Sequence, residues 1–127
     1  MLGKRFFAVF SIFVLSSLLL AACASSSSDF PIGKFYVSGS ERTEGFEFDR
    51  DGSFNYFSGD EKVMEGTYTV EGDVYTETSN NGEGAEPACK LPSTYNWVYD
   101  GTTLRFTVIE DKCMARRSAY TDYLFVK

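Results

Sequence analysis

Short runs of Tyr, Phe, Val and Thr dominate the sequence beyond residue 30, and turn-forming pairs such as Asp51-Gly52, Gly72-Asp73 and Asp100-Gly101 separate them. Aromatic and β-branched residues favour strands, whereas Asp-Gly and Gly-Asp pairs favour the tight turns of β-hairpins. The turn signals recur at spacings of about 8–12 residues, which is typical of small all-β domains. No convincing amphipathic helix interrupts the pattern, so the sequence predicts an all-β fold.

The pattern predicts eight strands, near residues 32–37, 44–48, 54–57, 63–70, 74–78, 94–99, 103–109 and 120–126. Neighbouring hairpins indicate a meander, and closing a meander into a barrel removes its exposed strand edges. Eight strands enclose an interior that side chains can fill or that holds one small ligand. We therefore expect a small antiparallel up-and-down barrel, flattened in cross-section. A two-sheet sandwich is the alternative, because its local hairpins have the same pattern.

The sixth and seventh strands provide the sharpest register prediction, because a two-residue turn at Asp100-Gly101 fixes every cross-strand pair. The predicted pairs are Tyr99 with Thr102, Trp97 with Leu104, Tyr95 with Phe106, Asn96 with Arg105 and Thr94 with Thr107. One face of this hairpin is then apolar and the other polar.

Two further hairpins have equally informative turns. A three-residue loop, Arg50-Asp51-Gly52, is expected to place Gly52 in the left-handed region, with Phe48 opposite Phe54 and Phe46 opposite Tyr56. At Gly72-Asp73, a type II′ turn pairs Val70 with Tyr75, and a three-residue loop would instead pair Val70 with Val74.

The N-terminal segment begins with Lys4 and Arg5 and continues with an apolar stretch, residues 6–20, interrupted only by serines. A transmembrane helix needs about 20 apolar residues, whereas a signal-peptide core needs only about 7–15. The stretch ends in Leu20-Ala21-Ala22-Cys23, which resembles the lipobox of bacterial lipoprotein precursors. That resemblance implies a signal peptide over residues 1–22 and acylation of Cys23, palmitate included. An uncleaved anchor or an ordinary secretory signal is the alternative.

The same resemblance implies an extracytoplasmic location in the bacterial cell envelope, on a membrane that the N-terminal lipid enters. Residues 23–29 are then a lipid-anchored, Ser-rich tether, and residues 30–127 are the β-domain. The residue after the lipidated cysteine is Ala24 and not Asp. In a host with two membranes, this pattern resembles that of lipoproteins sent to the outer membrane. The net charge of −6 argues against nucleic acid as a partner and favours a monomer.

With Cys23 assigned to lipid, Cys89 and Cys113 are the two remaining cysteines. Disulfides form outside the cytoplasm, so we predict a bond between them. Closing this loop stabilises the fold by about 3.5 kcal/mol in the chain-entropy model. Two reactive thiols or a metal pair are the alternative, but supporting ligands are lacking. We predict no metal and no cofactor.

Three segments, residues 66–73, 95–104 and 110–113, resemble the repeating hairpins of bacterial lipocalin-like domains. The first strand departs from that family, because Gly33-Lys34-Phe35-Tyr36 stands where lipocalins have Gly-x-Trp. The chain is also shorter than a typical lipocalin and lacks a predicted flanking helix. The resemblance implies a barrel that binds a small hydrophobic molecule and catalyses nothing.

Catalytic constellations are scarce. The chain has no histidine, which removes Ser-His-Asp and Cys-His systems and the commonest metal ligand. Glu47, Asp49 and Asp51 resemble the first half of a calcium loop, but Ser58 stands where a bidentate Glu is required. Glu110 and Asp111 are adjacent and so point apart instead of at one glycosidic bond. We expect no enzymatic activity.

The candidate ligand-binding residues are Tyr95, Trp97, Tyr99, Tyr120 and Arg116. The tyrosine hydroxyls would meet the polar end of a ligand at an open barrel mouth. The alternative is that these aromatic rings simply fill the core. Arg116 belongs to the basic segment 112–117, which either meets an anionic ligand or pairs with neighbouring carboxylates.

The sequence leaves two functions open. One is a lipid-anchored, lipocalin-like protein that binds a small hydrophobic molecule in its interior. The other is a non-enzymatic envelope interaction protein or hydrolase inhibitor that acts through exposed loops such as residues 79–92. A cavity inside the barrel favours the first function, and a filled interior favours the second.

Overall fold

The computed structural model describes residues 29–80 and 86–127. The secondary structure runs β1 (Gly33–Val37), β2 (Glu44–Phe48), β3 (Ser53–Ser58), β4 (Glu61–Glu71), β5 (Val74–Ser79), a 3-10 turn (Pro87–Lys90), β6 (Ser93–Tyr99), β7 (Thr103–Glu110), α1 (Met114–Thr121) and β8 (Phe125–Val126). The eight strands form a closed antiparallel barrel in chain order, with β8 paired to β1. The predicted all-β barrel is confirmed, and the sandwich is excluded. None of the helices in these two ranges is long and apolar enough to cross a membrane.

Aromatic side chains form the core of the barrel. Alternate residues of each strand point inward, as the period of two requires. The buried apolar cluster is Phe35, Val37, Phe46, Phe48, Phe54, Tyr75, Tyr95, Trp97, Leu104, Phe106, Tyr120 and Phe125. Nearly all strands contribute to it, so one core holds the whole domain together.

Two glycines allow neighbouring strands to approach closely enough for the sheet to close. A side chain at Gly45 would collide with the backbone carbonyl of Phe35, and one at Gly66 would collide with the carbonyl of Thr78 and the ring of Phe54. Glycine at such close approaches is typical of barrel bends. The close approach of β1 to β2 at Gly45, and of β5 to β4 at Gly66, therefore depends on the missing side chains.

The β2–β3 and β4–β5 hairpins have the predicted registers. Phe48 pairs with Phe54 and Phe46 with Tyr56, and Gly52 has a φ of +88°. Val70 pairs with Tyr75 across Gly72-Asp73, so the two-residue turn is confirmed and the three-residue alternative is wrong.

The predicted register of the β6–β7 hairpin is wrong by two residues. The observed pairs are Tyr99 with Leu104, Val98 with Arg105, Trp97 with Phe106, Asn96 with Thr107 and Tyr95 with Val108. The Asp100 side chain accepts hydrogen bonds from the backbone N–H groups of Thr102 and Thr103, at 2.9 and 2.7 Å, and so widens the loop. A shift of two residues leaves every side chain on its predicted face.

The C-terminal region contains a helix that the sequence pattern did not indicate. Helix α1 occupies part of the predicted eighth strand, 120–126, and the actual β8 has only two residues. Tyr120 is therefore a helical residue. Its side chain and that of Arg116, one helical turn apart, are the two buried residues of α1.

The barrel has two chemically different ends. We call the end with the β2–β3, β4–β5 and β6–β7 turns the hairpin end. We call the opposite end, where the β5–β6 connection and helix α1 lie, the helix end. A disulfide between Cys89 and Cys113 joins the β5–β6 connection to the start of α1, as predicted.

Candidate functional site

Stacked aromatic rings occupy the barrel axis. Tyr120 stacks on Phe46 and on Tyr95, with ring centroids 4.5 Å apart in both cases. Phe106 contacts Tyr120 edge-on at 5.0 Å and Tyr75 at 5.1 Å. These are contact distances for aromatic pairs, so a further ring does not fit between these neighbours.

Phe30 closes the hairpin end from inside. This half-buried residue precedes β1, and its ring lies 5.0–6.4 Å from the rings of Phe48, Tyr68, Tyr75, Trp97 and Phe106. Phe30 was not among the predicted site residues. The signal available was an aromatic residue shortly after the serine tract 25–28, which itself has nothing to bury.

Arg116 reaches from α1 into a cluster of buried polar groups at the helix end. Its guanidinium forms two parallel hydrogen bonds with Asp111, at 2.9 and 2.8 Å, and its Nη1 lies 2.9 Å from Oε1 of Glu77. The remaining guanidinium hydrogens reach the carbonyls of Cys89, at 3.1 Å, and Leu91, at 3.0 Å. Arg116 is 2% exposed. All five of its N–H groups therefore have partners.

Serine hydroxyls and a tyrosine complete this buried cluster. Ser79 and Ser93 each donate to Glu77, at 2.7 and 2.8 Å, and the hydroxyl of Tyr95 donates to Asp111. Within the described residues, every buried side-chain nitrogen and oxygen has a hydrogen-bond partner. A fully satisfied cluster of this kind supports the fold and offers little to a ligand.

The two buried carboxylates respond differently to this environment. Burial raises the pKa of Glu77 above its ordinary value, because the hydrogen bonds from Ser79 and the charge of Arg116 only partly compensate for lost solvation. Burial also acts to raise the pKa of Asp111, but hydrogen bonds from Arg116 and Tyr95 outweigh it, and the pKa falls below its ordinary value. Asp111 is thus the firmly ionised partner of Arg116.

The structure does not bring the five predicted ligand-binding residues together at an open mouth. The hydroxyls of Tyr95 and Tyr120 are occupied inside the barrel, the latter by the hydroxyl of Tyr75 at 2.9 Å. Trp97 lies towards the hairpin end and donates from Nε1 to the carbonyl of Gly72 at 3.1 Å. Tyr99 lies beside the β6–β7 turn, where its hydroxyl donates to the carbonyl of Gly101 at 2.8 Å. Arg116 pairs with carboxylates, as the second interpretation predicted.

The sequence analysis did not single out Glu77, Ser79 or Ser93, and it considered Asp111 only as half of a glycosidase pair. Glu77 lies two positions after the buried Tyr75 on the same face of β5, so strand periodicity already placed a carboxylate inside the barrel. An inward carboxylate requires a cationic partner, which could have pointed to Arg116. In residues 29–80 and 86–127, no group of three or more acidic or cysteine side chains is arranged to hold a metal ion.

A surface groove of about 420 Å³ lies between β7 and the C-terminal part of α1. We call it the seam groove. Its lining is residues 105–108 of β7, Arg117, and residues 121–124. The other exposed candidate, the connection 79–92, is only partly visible, because residues 81–85 lie outside the described ranges. Cys23 and the rest of the predicted lipobox also lie outside the described ranges.

Comparison with known proteins adds no further constraint on the function, because no family model, curated protein or solved structure matches this chain.

Proposed function

We propose that the protein is a non-enzymatic, lipid-anchored interaction protein of the bacterial cell envelope, and that it recognises its partner through the outer surface of the barrel. The ring-filled interior is the observation that carries this proposal. A ligand entering beside Tyr120 would have to displace rings that contact each other at 4.5–5.1 Å. Losing the packing of one such ring costs about 3–5 kcal/mol.

The buried polar cluster supports the same proposal. Arg116 is the cation that a ligand's acidic group would seek at the helix end, but Asp111 and Glu77 already neutralise it. A ligand acid would have to break a bidentate pair in a water-poor site, where leaving a charge unpaired costs several kcal/mol. The outer surface is the part of the barrel with groups still available for recognition.

The position of Phe30 determines how the barrel would stand on the membrane. If Cys23 is acylated, residues 24–29 separate the lipid from Phe30, and six residues span at most about 20 Å. Since Phe30 is held in the hairpin end, that end would face the bilayer. The helix end and its disulfide would then face the partner's compartment.

The full chain, purified from bacterial membranes in mild detergent, provides the test. We expect a native mass spectrum that shows only the acylated polypeptide. We also expect the emission of Trp97, the single tryptophan, to remain unchanged when palmitate is added. A photoreactive residue at the exposed Val98 or Ile109 should form a discrete protein adduct in intact cells. A retained small molecule, or no adduct from any outer position, would overturn the proposal.

Phe30 favours binding of a small hydrophobic molecule as a second candidate function. Its ring occupies a mouth lined by five aromatic rings, and it precedes β1 instead of belonging to a strand. Removing the ring would open an apolar pocket there. If this candidate is correct, Phe30→Ala creates a saturable change in Trp97 emission with palmitate, whereas Asp29→Ala, a change at an exposed neighbour, creates none. An unresponsive Phe30→Ala protein would exclude it.

A further inference from the structure

The two-residue strand β8 leaves both of its neighbours, β1 and β7, only partly paired, and the longer unpaired stretch lies on β7. Strand β8 pairs with β7 only at Thr103 with Val126 and Leu104 with Phe125. Residues 122–124, which precede β8, form no pairs with β7, so β7 continues from Arg105 to Glu110 without a paired strand on this side. The seam groove lies along this stretch. Over this stretch β7 is an edge strand, although the barrel closes through the short strand β8.

The backbone of β7 directs hydrogen-bonding groups towards the groove at Phe106, which is 3% exposed, and at the half-buried Val108. The N–H of Trp97 donates to the carbonyl of Asp73, on the β5 side, at 3.0 Å. The pair formed by Trp97 and Phe106 is therefore not hydrogen-bonded across β6–β7, and alternation directs the N–H and C=O of Phe106 and Val108 towards the seam. In the described part of the chain, no turn, loop or cap hydrogen bond reaches either residue. These two residues lie about 7 Å apart, the repeat of an extended strand.

Two arginines give the seam groove a positive character on an otherwise acidic protein. Arg105 projects from the outer face of β7 and Arg117 from the exposed face of α1, and both line the groove. Among the described residues, neither guanidinium forms an ion pair, whereas Arg116 between them in sequence is fully paired. Asp122 is the only acidic residue among the lining residues that the structure describes. An acidic partner is therefore attracted here and repelled elsewhere by a net charge of −6.

We infer that the seam groove binds an extended peptide segment with acidic side chains, which adds as a strand along the open edge of β7. Main-chain hydrogen bonds to Phe106 and Val108 would supply affinity, and the contacts of Arg105 and Arg117 with carboxylates would supply selectivity. A small anion would use the arginines alone and leave the backbone groups unpaired. A second copy of this chain carries the same net charge of −6 and is the less favoured occupant. This inference rests on the proposed interaction function and names its partner class.

The test begins with random linear peptides displayed on phage and selected against the full-length protein in detergent. We expect enrichment of Asp and Glu, and we expect a synthetic selected peptide to protect the N–H groups of Phe106 and Val108 from hydrogen exchange. Two series of N-methylated peptides, one modified at odd positions and one at even positions, should differ. One series should lose binding and the other should keep it, because a strand pairs with its neighbour through every second residue.

Charge is tested separately with matched variants. Replacing both groove arginines, in Arg105→Gln/Arg117→Gln, should lower the affinity for the selected peptide by about tenfold or more. Arg50→Gln removes an exposed arginine at the β2–β3 turn and should leave affinity unchanged. Both proteins should retain the circular dichroism spectrum of the wild type, since the three side chains are exposed.

Other results would separate the two proposals. Selected peptides that protect the 86–92 connection instead of β7, or whose affinity is equal in both N-methylated series, overturn the seam inference and leave the interaction function standing. If inorganic phosphate or acetate binds as tightly as the peptide, the groove is an anion site and the inference is wrong. If no peptide is selected, the inference is also wrong, and a small molecule retained in the native mass spectrum would overturn the proposed function as well.

Discussion

The guanidinium of Arg116 and the carboxylate of Asp111 form a bidentate ion pair that fastens helix α1 to the end of strand β7. Nε and Nη2 of Arg116 lie 2.9 and 2.8 Å from the two carboxylate oxygens. The same carboxylate accepts hydrogen bonds from the hydroxyl of Tyr95 and from the backbone N–H of Cys113. One side chain thus links β6, β7, the disulfide and α1.

Arg116→Met should strongly destabilise the protein. The methionine preserves much of the side-chain stem but leaves Asp111 and Glu77 buried without their cation, and breaking a buried pair in this way costs about 3–5 kcal/mol. Arg117→Met, at the exposed neighbour, should change the free energy of unfolding by less than about 0.5 kcal/mol. Urea unfolding of both proteins measures the difference. Equal stabilities would mean that the buried ion pair is not needed.

The contribution of Asp111 to stability should disappear in acid. Its folded pKa lies below the ordinary value of 3.8, because hydrogen bonds from Arg116 and Tyr95 outweigh the effect of burial. The ionised form is therefore favoured by folding, so this stability is present above pH 3.8 and is lost as the pH falls through the folded pKa. The difference in free energy of unfolding between wild type and Asp111→Asn should be large at pH 7 and shrink below pH 3.8. A difference that is independent of pH would contradict this account.

Glu77 should show the opposite pH dependence. Burial raises its pKa above 4.5, so folding favours the protonated form. The stability linked to its protonation is present below pH 4.5 and is lost as the pH rises through the folded pKa. Relative to Glu77→Gln, which does not titrate, the wild-type protein should become more stable as the pH falls from 7 towards 4.5. Urea midpoints at several pH values test this trend, and parallel curves for the two proteins would refute it.

The Cys89–Cys113 bond should stabilise the helix end. It closes the loop from the 3-10 turn to the start of α1, with Cα atoms 4.6 Å apart. On the chain-entropy model, opening a loop of this size lowers the free energy of unfolding by about 3.5 kcal/mol. Urea unfolding of the Cys89→Ser/Cys113→Ser protein, compared with the wild type under oxidising and reducing conditions, measures this quantity. A reductant should bring the wild type to the level of the variant and leave the variant unchanged.

Local chemistry explains which parts of the fold were predictable. The β2–β3 register followed from a loop in which Gly52 takes the left-handed conformation, and nothing distant alters it. In the β6–β7 hairpin, the Asp100 side chain accepts hydrogen bonds from two backbone N–H groups and so favours a longer loop than the two-residue turn. The Asp-Gly dipeptide alone does not reveal which of these two loops forms. Strand alternation was robust to this error, because a shift of two residues preserves the faces.

Helix α1 and the polar cluster were hidden because they depend on long-range contacts. The two buried residues of α1 are Arg116 and Tyr120, so its inward face contains a charge where an amphipathic pattern requires an apolar residue. That charge is acceptable only beside Glu77, which lies far away along the chain on β5. Similarly, the shortness of β8, and hence the seam groove, follows from where α1 ends.

Acylation of Cys23 remains a prediction from the sequence, because this residue lies outside the described part of the chain. In a bacterial host, Cys23→Ser should abolish incorporation of an alkyne-labelled palmitate and remove the acyl mass from the intact protein. The control variant Cys89→Ser keeps Cys23 and should retain both signals. Each buried methylene contributes about 0.8 kcal/mol to membrane attachment, so the unacylated protein loses its anchor once the signal peptide is removed. Palmitate incorporation that survives in Cys23→Ser would show that the Leu20-Ala21-Ala22-Cys23 segment is not a lipobox.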